Sequence, residues 1–361
     1  MLAKAPALAL PPVWDPEEDD RLVCRGTYDE THDVRTFVLA APEPRLFRYA
    51  PGQYLTFAFP TGPEPTYRCY TLSSAPTRPE TVSITVKRTE GGPVSGWLHA
   101  NLKPGDVVRA TGPMGEFSTD LHPCGKRLFL SGGSGVTPLM SMVRADHDRA
   151  EDPDTVFVHC ARAPRDVVFR KELDWLAERR SRLQVAHMVE SAAGEPGWSG
   201  LRGRISRAAL DLVAPDFRER EVFCCGPRPF MAAVRGILAE AGCDMARYHE
   251  ESFAFEDMAP SIEPEPALAE APGARIHEIT FAKSGRAVPC DESTTILAAA
   301  RSAGLRLPSS CTRGLCGTCK TRKVSGEVEM SHQGGIRQRE IDAGLILLCC
   351  SKPRGDVVVE R

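Results

Sequence analysis

The hydrophobic pattern of the chain changes style near Lys126 and again near Arg275. Between residues 22 and 60, apolar and polar positions alternate in short runs such as VRTFVLA (34–40) and QYLTFAF (53–59), separated by proline and glycine. Alternation with period two buries one face of a strand, and the Pro and Gly positions mark turns. TVSITVKR (81–88) and DVVRATG (106–112) extend the pattern. Residues 21–124 therefore read as an antiparallel β-barrel domain.

From residue 125 short apolar strands alternate with helical periods. RLFLSGG (127–133), TVFVHCAR (155–162), LQVAHMV (183–189) and REVFCCG (220–226) are strand-like. PLMSMVRADHDRA (138–150), VFRKELDWLAERR (168–180), ISRAALDLV (205–213) and PFMAAVRGILAEAG (229–242) carry the 3.6-residue period. That alternation predicts an α/β parallel-sheet domain over 125–255. Residues 256–274, EDMAPSIEPEPALAEAPGA, are rich in Pro, Ala and Glu and read as a semi-extended linker. The segment 275–361 opens with a β-hairpin pattern, HEITFAKSGRAVPC (277–290). A capped helix, STTILAAARSAGL (293–305), a cysteine-rich loop and short strands follow.

Composition narrows the function classes. With 361 residues and 42% hydrophobic content the chain supports two or three packed cores. No run reaches the roughly 18–20 apolar residues of a membrane span, and a formal charge of −3 gives no support for nucleic-acid binding. MLAKAPALALPPVW lacks a signal-cleavage pattern, so residues 1–20 are expected to be a loose tail. Thirteen cysteines without a secretory signal point to a reducing compartment, and a cytoplasmic protein is the expectation.

The cysteines also carry chemistry. Cys311, Cys316 and Cys319 stand in a C-x4-C-x2-C run, and twenty-nine residues separate Cys319 from Cys349. This is the plant-type [2Fe–2S] spacing. A structural zinc site would use two short knuckles, and only one is present. A thioredoxin-like dithiol would open a helix of a βαβ unit, which CGTCK does not. The segment resembles plant-type ferredoxins over about 275–361. Ferredoxins of that type commonly carry a proline four residues after the last ligand, and Pro353 then selects Cys349 over Cys350. The loop cations Arg313, Lys320, Arg322 and Lys323 read either as an ordinary solvated surface or as a rim that steers an acidic acceptor.

Two glycine motifs end strands of the α/β segment. LSGGSGVTP places Gly133, Ser134 and Gly135 before Thr137 and Pro138, with Thr137 as the expected N-cap and Pro138 at the first helical position. Such a helix start offers free amides to a pyrophosphate. VFCCGPRP places Cys225, Gly226 and Pro227 at the edge where open α/β sheets bind ligands. Together with RCYTLSSAP (68–76) on the barrel, these motifs resemble the ferredoxin–NADP reductase superfamily.

The resemblance implies that Arg68 holds flavin phosphates, with Cys69 on the same strand. Tyr70 would pack on the isoalloxazine and Thr71 hydrogen-bond N5. It further implies flavin contacts from Val86, Lys87, Gly92, Val94, Ser95 and Phe117, and nicotinamide flanked by Thr137 and Cys225. Phe253 of EESF would cover the flavin, with simple packing as the alternative. GPMGEF (112–117) looks like the turn of FAD-binding rather than FMN-binding members. Arg162, with no acidic residue directly at its strand tip, is compatible with NADPH. NADH is the expectation from the resemblance to oxygenase reductases.

The order flavin barrel, NAD(P) domain, ferredoxin is that of reductases serving Rieske-type oxygenases. DETHDVRTFVL, SHQGGI and LLCCSKPRGDV look most like the reductases of glycine betaine, stachydrine and carnitine monooxygenases. Reductases of hybrid-cluster proteins are similar. The implied partner is a terminal oxygenase or another one-electron protein acceptor, and a redox-sensing interaction protein is the alternative from another class.

Overall fold

The computed structural model describes residues 10–16, 18–62, 65–253, 275–305, 307, 314, 317, 319–332, 335–336 and 338–361. The expected linker, Cys311, Cys316 and Arg313 lie outside these residues.

The first domain contains β1 (Arg21–Asp29), β2 (Val34–Ala40), β3 (Tyr54–Phe59), β4 (Thr66–Thr71), β5 (Val82–Lys87), α1 (Pro93–Asn101) and β6 (Val107–Met114). The strand order is β4-β3-β6-β1-β2-β5, and β1, β2, β5 and β6 pair antiparallel. Alternate side chains fill the interior, with Leu22, Phe37, Leu39 and Ile84 inaccessible to solvent. The segment expected as a loose tail is in part packed. Trp14 is buried, its backbone N–H donates to the Leu46 carbonyl at 2.9 Å, and its ring lies 5.2 Å from that of Phe47. Burial of so large an indole offsets part of the entropy lost on ordering the segment.

The second domain runs β7 (Lys126–Gly132), α2 (Val136–Asp148), β8 (Asp154–Ala161), α3 (Arg170–Arg179), β9 (Leu183–Val189), β10 (Leu201–Arg202), α4 (Arg207–Val213), β11 (Glu221–Cys225), α5 (Arg228–Glu240) and β12 (Tyr248–Glu251). The strands are parallel in the order β10-β9-β8-β7-β11-β12. Period two divides the core between the faces. Phe129, Phe157 and Phe223 meet α2 and α3, with Phe129 edge-on to Phe157 at 5.7 Å and to Phe223 at 5.6 Å. Leu128, Leu130, Val156, Val158 and Val222 meet α4 and α5 on the other face.

The third domain has β13 (Ile276–Phe281), β14 (Arg286–Asp291), α6 (Ile296–Ser302), β15 (Lys320–Ser325), β16 (Val328–Met330), α7 (Gln338–Asp342), β17 (Leu345–Leu347), β18 (Ser351–Pro353) and β19 (Val357–Val359). A five-stranded sheet, β14-β13-β19-β15-β17, backs α6, whose start is capped by Thr295 Oγ1 accepting from Ala298 N–H at 3.3 Å. The chain divides into two compact units, Met1–Leu55 with Tyr70–Phe253, and Thr56–Cys69 with Ala254–Arg361. The hairpin made by the end of β3 and most of β4 therefore groups with the third domain.

A buried ion triad anchors the parallel sheet. Asp146 on α2 is 2% exposed and accepts from Arg127 Nη1 at 2.9 and 3.1 Å, with Arg180 Nη2 at 3.8 Å. Burial outweighs the two guanidinium groups and pushes the Asp146 carboxyl above its ordinary value. Removing one member of such a set leaves the others buried and unpaired, at a cost of about 3–5 kcal/mol. Asp146→Asn is thus expected to accelerate amide hydrogen exchange of β7 and β8, while exchange in β1 and β2 stays unchanged.

Candidate functional site

The parallel sheet offers its binding edge where the chain reverses direction. From β7 the strands progress through β8 and β9 to β10, then return to β11 on the other side of β7. That is the switch point at which open α/β sheets take ligands. The turns leaving β7 and β11 press together there. A Cβ on Gly135 would lie 2.3 Å from the Cys225 carbonyl oxygen, and one on Gly226 would lie 3.0 Å from the Gly132 nitrogen. Only glycine permits this approach.

The helix start differs from the sequence expectation. α2 opens at Val136 with Gly135 as its N-cap, and no side chain caps it. Thr137 sits inside the first turn and its Oγ1 donates to the Ser134 carbonyl at 3.2 Å. The three-residue turn Gly133–Gly135 extends the coil beyond the strand, which shifts the start one residue ahead of Thr137. The first amides of α2 are therefore not spent on a side-chain cap, and ground beside Gly133 is open. These features fit a pyrophosphate. Cys225 is fully buried and burial raises its thiol well above the ordinary value. A neutral thiol is no nucleophile, so in this structure Cys225 is a packed core thiol at the end of β11.

Arg162 at the tip of β8 is held by two carboxylates. Its Nη2 lies 3.5 Å from Asp33 Oδ2 and its Nε 3.4 Å from Asp166 Oδ2. Asp33 also lies 3.4 Å from Lys87 Nζ. The acidic partners that the strand tip itself lacks come from the β1–β2 turn and from a short turn four residues on. Neither is visible from the β8 sequence.

The expected flavin residues divide into several settings. Arg68, Cys69 and Tyr70 are partly exposed along β4, and Arg68 spends Nη1 on the Tyr67 carbonyl at 2.8 Å. Its guanidinium retains further donors for an anion. Val86 is buried near the end of β5. Gly92 caps α1 without a side-chain bond, and Val94 and Ser95 are buried in its first turn. Ser95 Oγ accepts from Thr89 N–H at 3.1 Å and so closes the turn before α1. Phe117 is 6% exposed and packs edge-on to Phe223 at 5.7 Å, within the core under α2. Phe253 packs against the same core, which also contains Cys225.

Sequence reasoning missed Glu251. It ends β12, in register with Cys225 on β11, and its Oε2 accepts from Thr71 Oγ1 at 3.2 Å. Burial pushes this carboxyl up to about 8, with the Thr71 bond opposing the shift. A four-residue strand containing two glutamates gives almost no hydrophobic signal. Only the sheet register reveals the carboxyl.

The cluster candidates fall on a second set of glycines. Gly314 N–H donates to Cys349 Sγ at 3.2 Å, and Cys349 N–H donates to Cys319 Sγ at 3.4 Å. Gly314 and Gly317 have φ of 74° and 72°. A Cβ on Gly314 would meet Cys350 Sγ at 2.8 Å, and one on Gly317 would meet the Gly335 oxygen at 2.9 Å. Amides directed at sulfur, in a cradle with no room for Cβ, fit an iron–sulfur group held by thiolates. Cys350 differs from Cys349, because its Sγ donates to the Leu347 carbonyl at 3.7 Å. Lys320 is not a solvated rim cation. Its side chain is 13% exposed and its Nζ lies 2.7 Å from Glu340 Oε1.

The Thr71–Glu251 pair makes a pH prediction. The carboxyl is neutral below about 8 and anionic above. Its folded-state value exceeds the ordinary 4.5, so its stabilising contribution is complete below that value and is lost as pH rises through about 8. The thermal midpoint should fall across this window, and less steeply in Glu251→Gln.

Comparison with known proteins finds three family matches along the chain. The oxidoreductase FAD-binding domain family matches residues 25–119, the oxidoreductase NAD-binding domain family residues 129–236, and the 2Fe-2S iron-sulfur cluster binding domain family residues 279–354. The chain is 44% identical over 343 residues to a glycine betaine monooxygenase reductase subunit of Pseudomonas aeruginosa, covering 93% of this chain and 94% of the relative. It is 45% identical over 340 residues to the stachydrine N-demethylase reductase subunit of Rhizobium meliloti, covering 94% and 96%. Among solved structures, phthalate dioxygenase reductase is 26% identical with a TM-score of 0.57, over 96% of this chain and 100% of that one. With barrel, nucleotide sheet and ferredoxin matched in the same order, the chain belongs to the family of oxygenase reductases that combine FAD-binding, NAD-binding and [2Fe–2S] domains.

Proposed function

We propose that the chain takes electrons from NADH and passes them to a terminal Rieske-type oxygenase acting on a quaternary ammonium compound in the cytoplasm. The observation that supports it is likeness at 44–45% identity, across more than nine-tenths of the chain, to reductase subunits named for glycine betaine and stachydrine. Both compounds are quaternary ammonium carboxylates. Among the described residues no helix is long and apolar enough to cross a membrane.

When bound, nicotinamide, FAD and [2Fe–2S] supply hydride donation, hydride acceptance and one-electron carriage. The chain's part is positioning and electrostatics. The first turn of α2 and the glycines Gly133 and Gly135 receive the pyrophosphate of the dinucleotide. Ser134, Thr137 and Pro138 shape that turn, and Gly226 and Pro227 close it from β11. Cys225, enclosed beneath the turn it begins, would position the backbone that faces the nicotinamide. Thr71 holds a hydroxyl at the reacting edge of the flavin, with Glu251 behind it. Arg68 and the start of α1 receive the flavin phosphates. Cys311, Cys316, Cys319 and Cys349 hold the two irons.

NADH is favoured over NADPH by charge. Arg162, the cation that could take a 2′-phosphate, already faces Asp33 and Asp166. A dianionic phosphate would have to displace carboxylates from it. Asp33→Asn should raise kcat/KM for NADPH several-fold, chiefly through KM, with a smaller change for NADH.

The whole reading is tested by anaerobic addition of NADH, which should bleach flavin and [2Fe–2S] bands together. Cys319→Ser should keep flavin reduction and ferricyanide reduction while losing most cytochrome c reduction. Cys349→Ser should lose iron and labile sulfide, and Cys350→Ser should keep both. Absence of cluster bleaching in the native chain would end the proposal.

A further inference from the structure

The contact between β4 and β15 is small and specific. Lys320 Nζ lies 5.2 Å from the centroid of the Tyr67 ring, within cation–π range. The same ammonium pairs with Glu340 Oε1 at 2.7 Å. Its side chain is only 13% exposed, so it is held rather than solvated. Glu340 belongs to α7, which packs on β17, and Lys320 pairs in register with Leu347 on β17. One cation therefore ties three elements of the third domain to a tyrosine of the barrel strand.

The neighbours of both residues give the contact its meaning. Lys320 directly follows Cys319, whose sulfur accepts from Cys349 N–H. Lys320 N–H donates to the Gly317 carbonyl at 3.0 Å, so its backbone closes the cysteine loop. Tyr67 directly precedes Arg68, and its carbonyl takes the Arg68 Nη1 proton at 2.8 Å. Each partner is thus one residue from a group that holds a redox centre in the function proposed above. The segment Thr56–Cys69 groups with the third domain in one compact unit, in keeping with that contact.

We propose that Tyr67 and Lys320 are positioning residues for electron exit, fixing the flavin-bearing strand against the cluster-bearing strand so that electrons pass between them. The inference rests on the function proposed above. NADH surrenders two electrons as one hydride. Each oxidised cluster accepts one electron, so two passages follow every hydride, with the partner reoxidising the cluster between them and one proton released to solvent. Glu340 keeps the ammonium extended toward the ring, because a lysine stem left alone has many rotamers. An arginine can stack on the same ring, whereas an uncharged chain of similar length cannot.

The test uses the loaded full-length chain, with flavin and iron content verified. Rapid mixing with NADH separates flavin reduction from the later bleaching of the cluster. Tyr67→Leu and Lys320→Met should each slow cluster bleaching at least about tenfold, since small errors of geometry carry large rate penalties. Flavin reduction should stay within about twofold. The double variant should be no slower than the worse single one, because both remove one contact. Tyr67→Trp and Lys320→Arg should retain near-native rates. Independent of turnover, hydrogen exchange of the β4 amides should rise in Lys320→Met and not in Lys320→Arg. Unchanged cluster bleaching in Lys320→Met, or equal slowing of flavin reduction in both variants, would overturn the proposal. If Tyr67→Leu fails to load flavin, Lys320→Met carries the test from outside β4. A native chain whose cluster never bleaches would instead refute the underlying function, which keeps the two failures apart.

Discussion

The parallel sheet can bind a dinucleotide only because two turns meet without side chains between them. Gly135 lies against the Cys225 carbonyl and Gly226 against Gly132, at distances that any Cβ would forbid. This contact sets where α2 begins, and hence where its amides point. It also sets the position of Cys225, since β7 and β11 are neighbours in register through Cys225 and Ser131. Through the next register pair it places Glu251, and through Glu251 it places the Thr71 hydroxyl. A single steric condition at the switch point thus propagates across β12 to the end of β4.

Charge is arranged on the same plan of local balance. Asp33 faces Lys87 and Arg162, Asp146 faces Arg127 and Arg180, and Glu340 faces Lys320. Where burial dominates, the balance shows in the carboxyl's own proton affinity: Asp146 is raised despite two guanidinium neighbours. Asp33, less enclosed and bonded to the Thr31 hydroxyl, is lowered instead. The distinction matters for ligands. A carboxylate near the surface that already holds a cation tunes which anion that cation can accept, whereas a buried one contributes mainly to the rigidity of the sheet.

Periodicity made most elements legible. LQVAHMV coincides with β9, and the Phe129, Phe157 and Phe223 row follows from alternation alone. Cysteine spacing and the two glycine motifs exposed the chemistry, because tight turns and iron ligation tolerate few residue types. What stayed hidden was whatever depends on register or on distant partners. β12 is too short and too charged to give a pattern, so Glu251 passed unnoticed. Asp33 belongs to a hairpin turn 129 positions before Arg162, and no local rule links them. Lys320 resembled a surface cation because its neighbours Arg322 and Lys323 are cationic too. Only the fold shows Glu340 and Tyr67 enclosing it. Trp14 was misread for the converse reason: proline-rich surroundings suggested a tail, while one large ring helps to fasten a short segment.

The thiols illustrate how burial separates residues of one type into two chemical roles. Cys160, Cys224 and Cys290 are enclosed by burial and raised to about 12, and burial also raises Cys225 well above its ordinary value. At neutral pH they are protonated, and a protonated thiol neither ligates iron nor attacks disulfides. Cys319 and Cys349 are also buried, yet backbone amides are directed at their sulfurs. Backbone donors aimed at sulfur are the arrangement that a thiolate-held iron–sulfur group would use. Adjacent Cys349 and Cys350 show the contrast at its sharpest. One sulfur accepts from Gly314 N–H, and the other donates to the Leu347 carbonyl. Among thirteen cysteines, the direction of one backbone hydrogen bond thus distinguishes Cys349, the proposed ligand, from its neighbour Cys350.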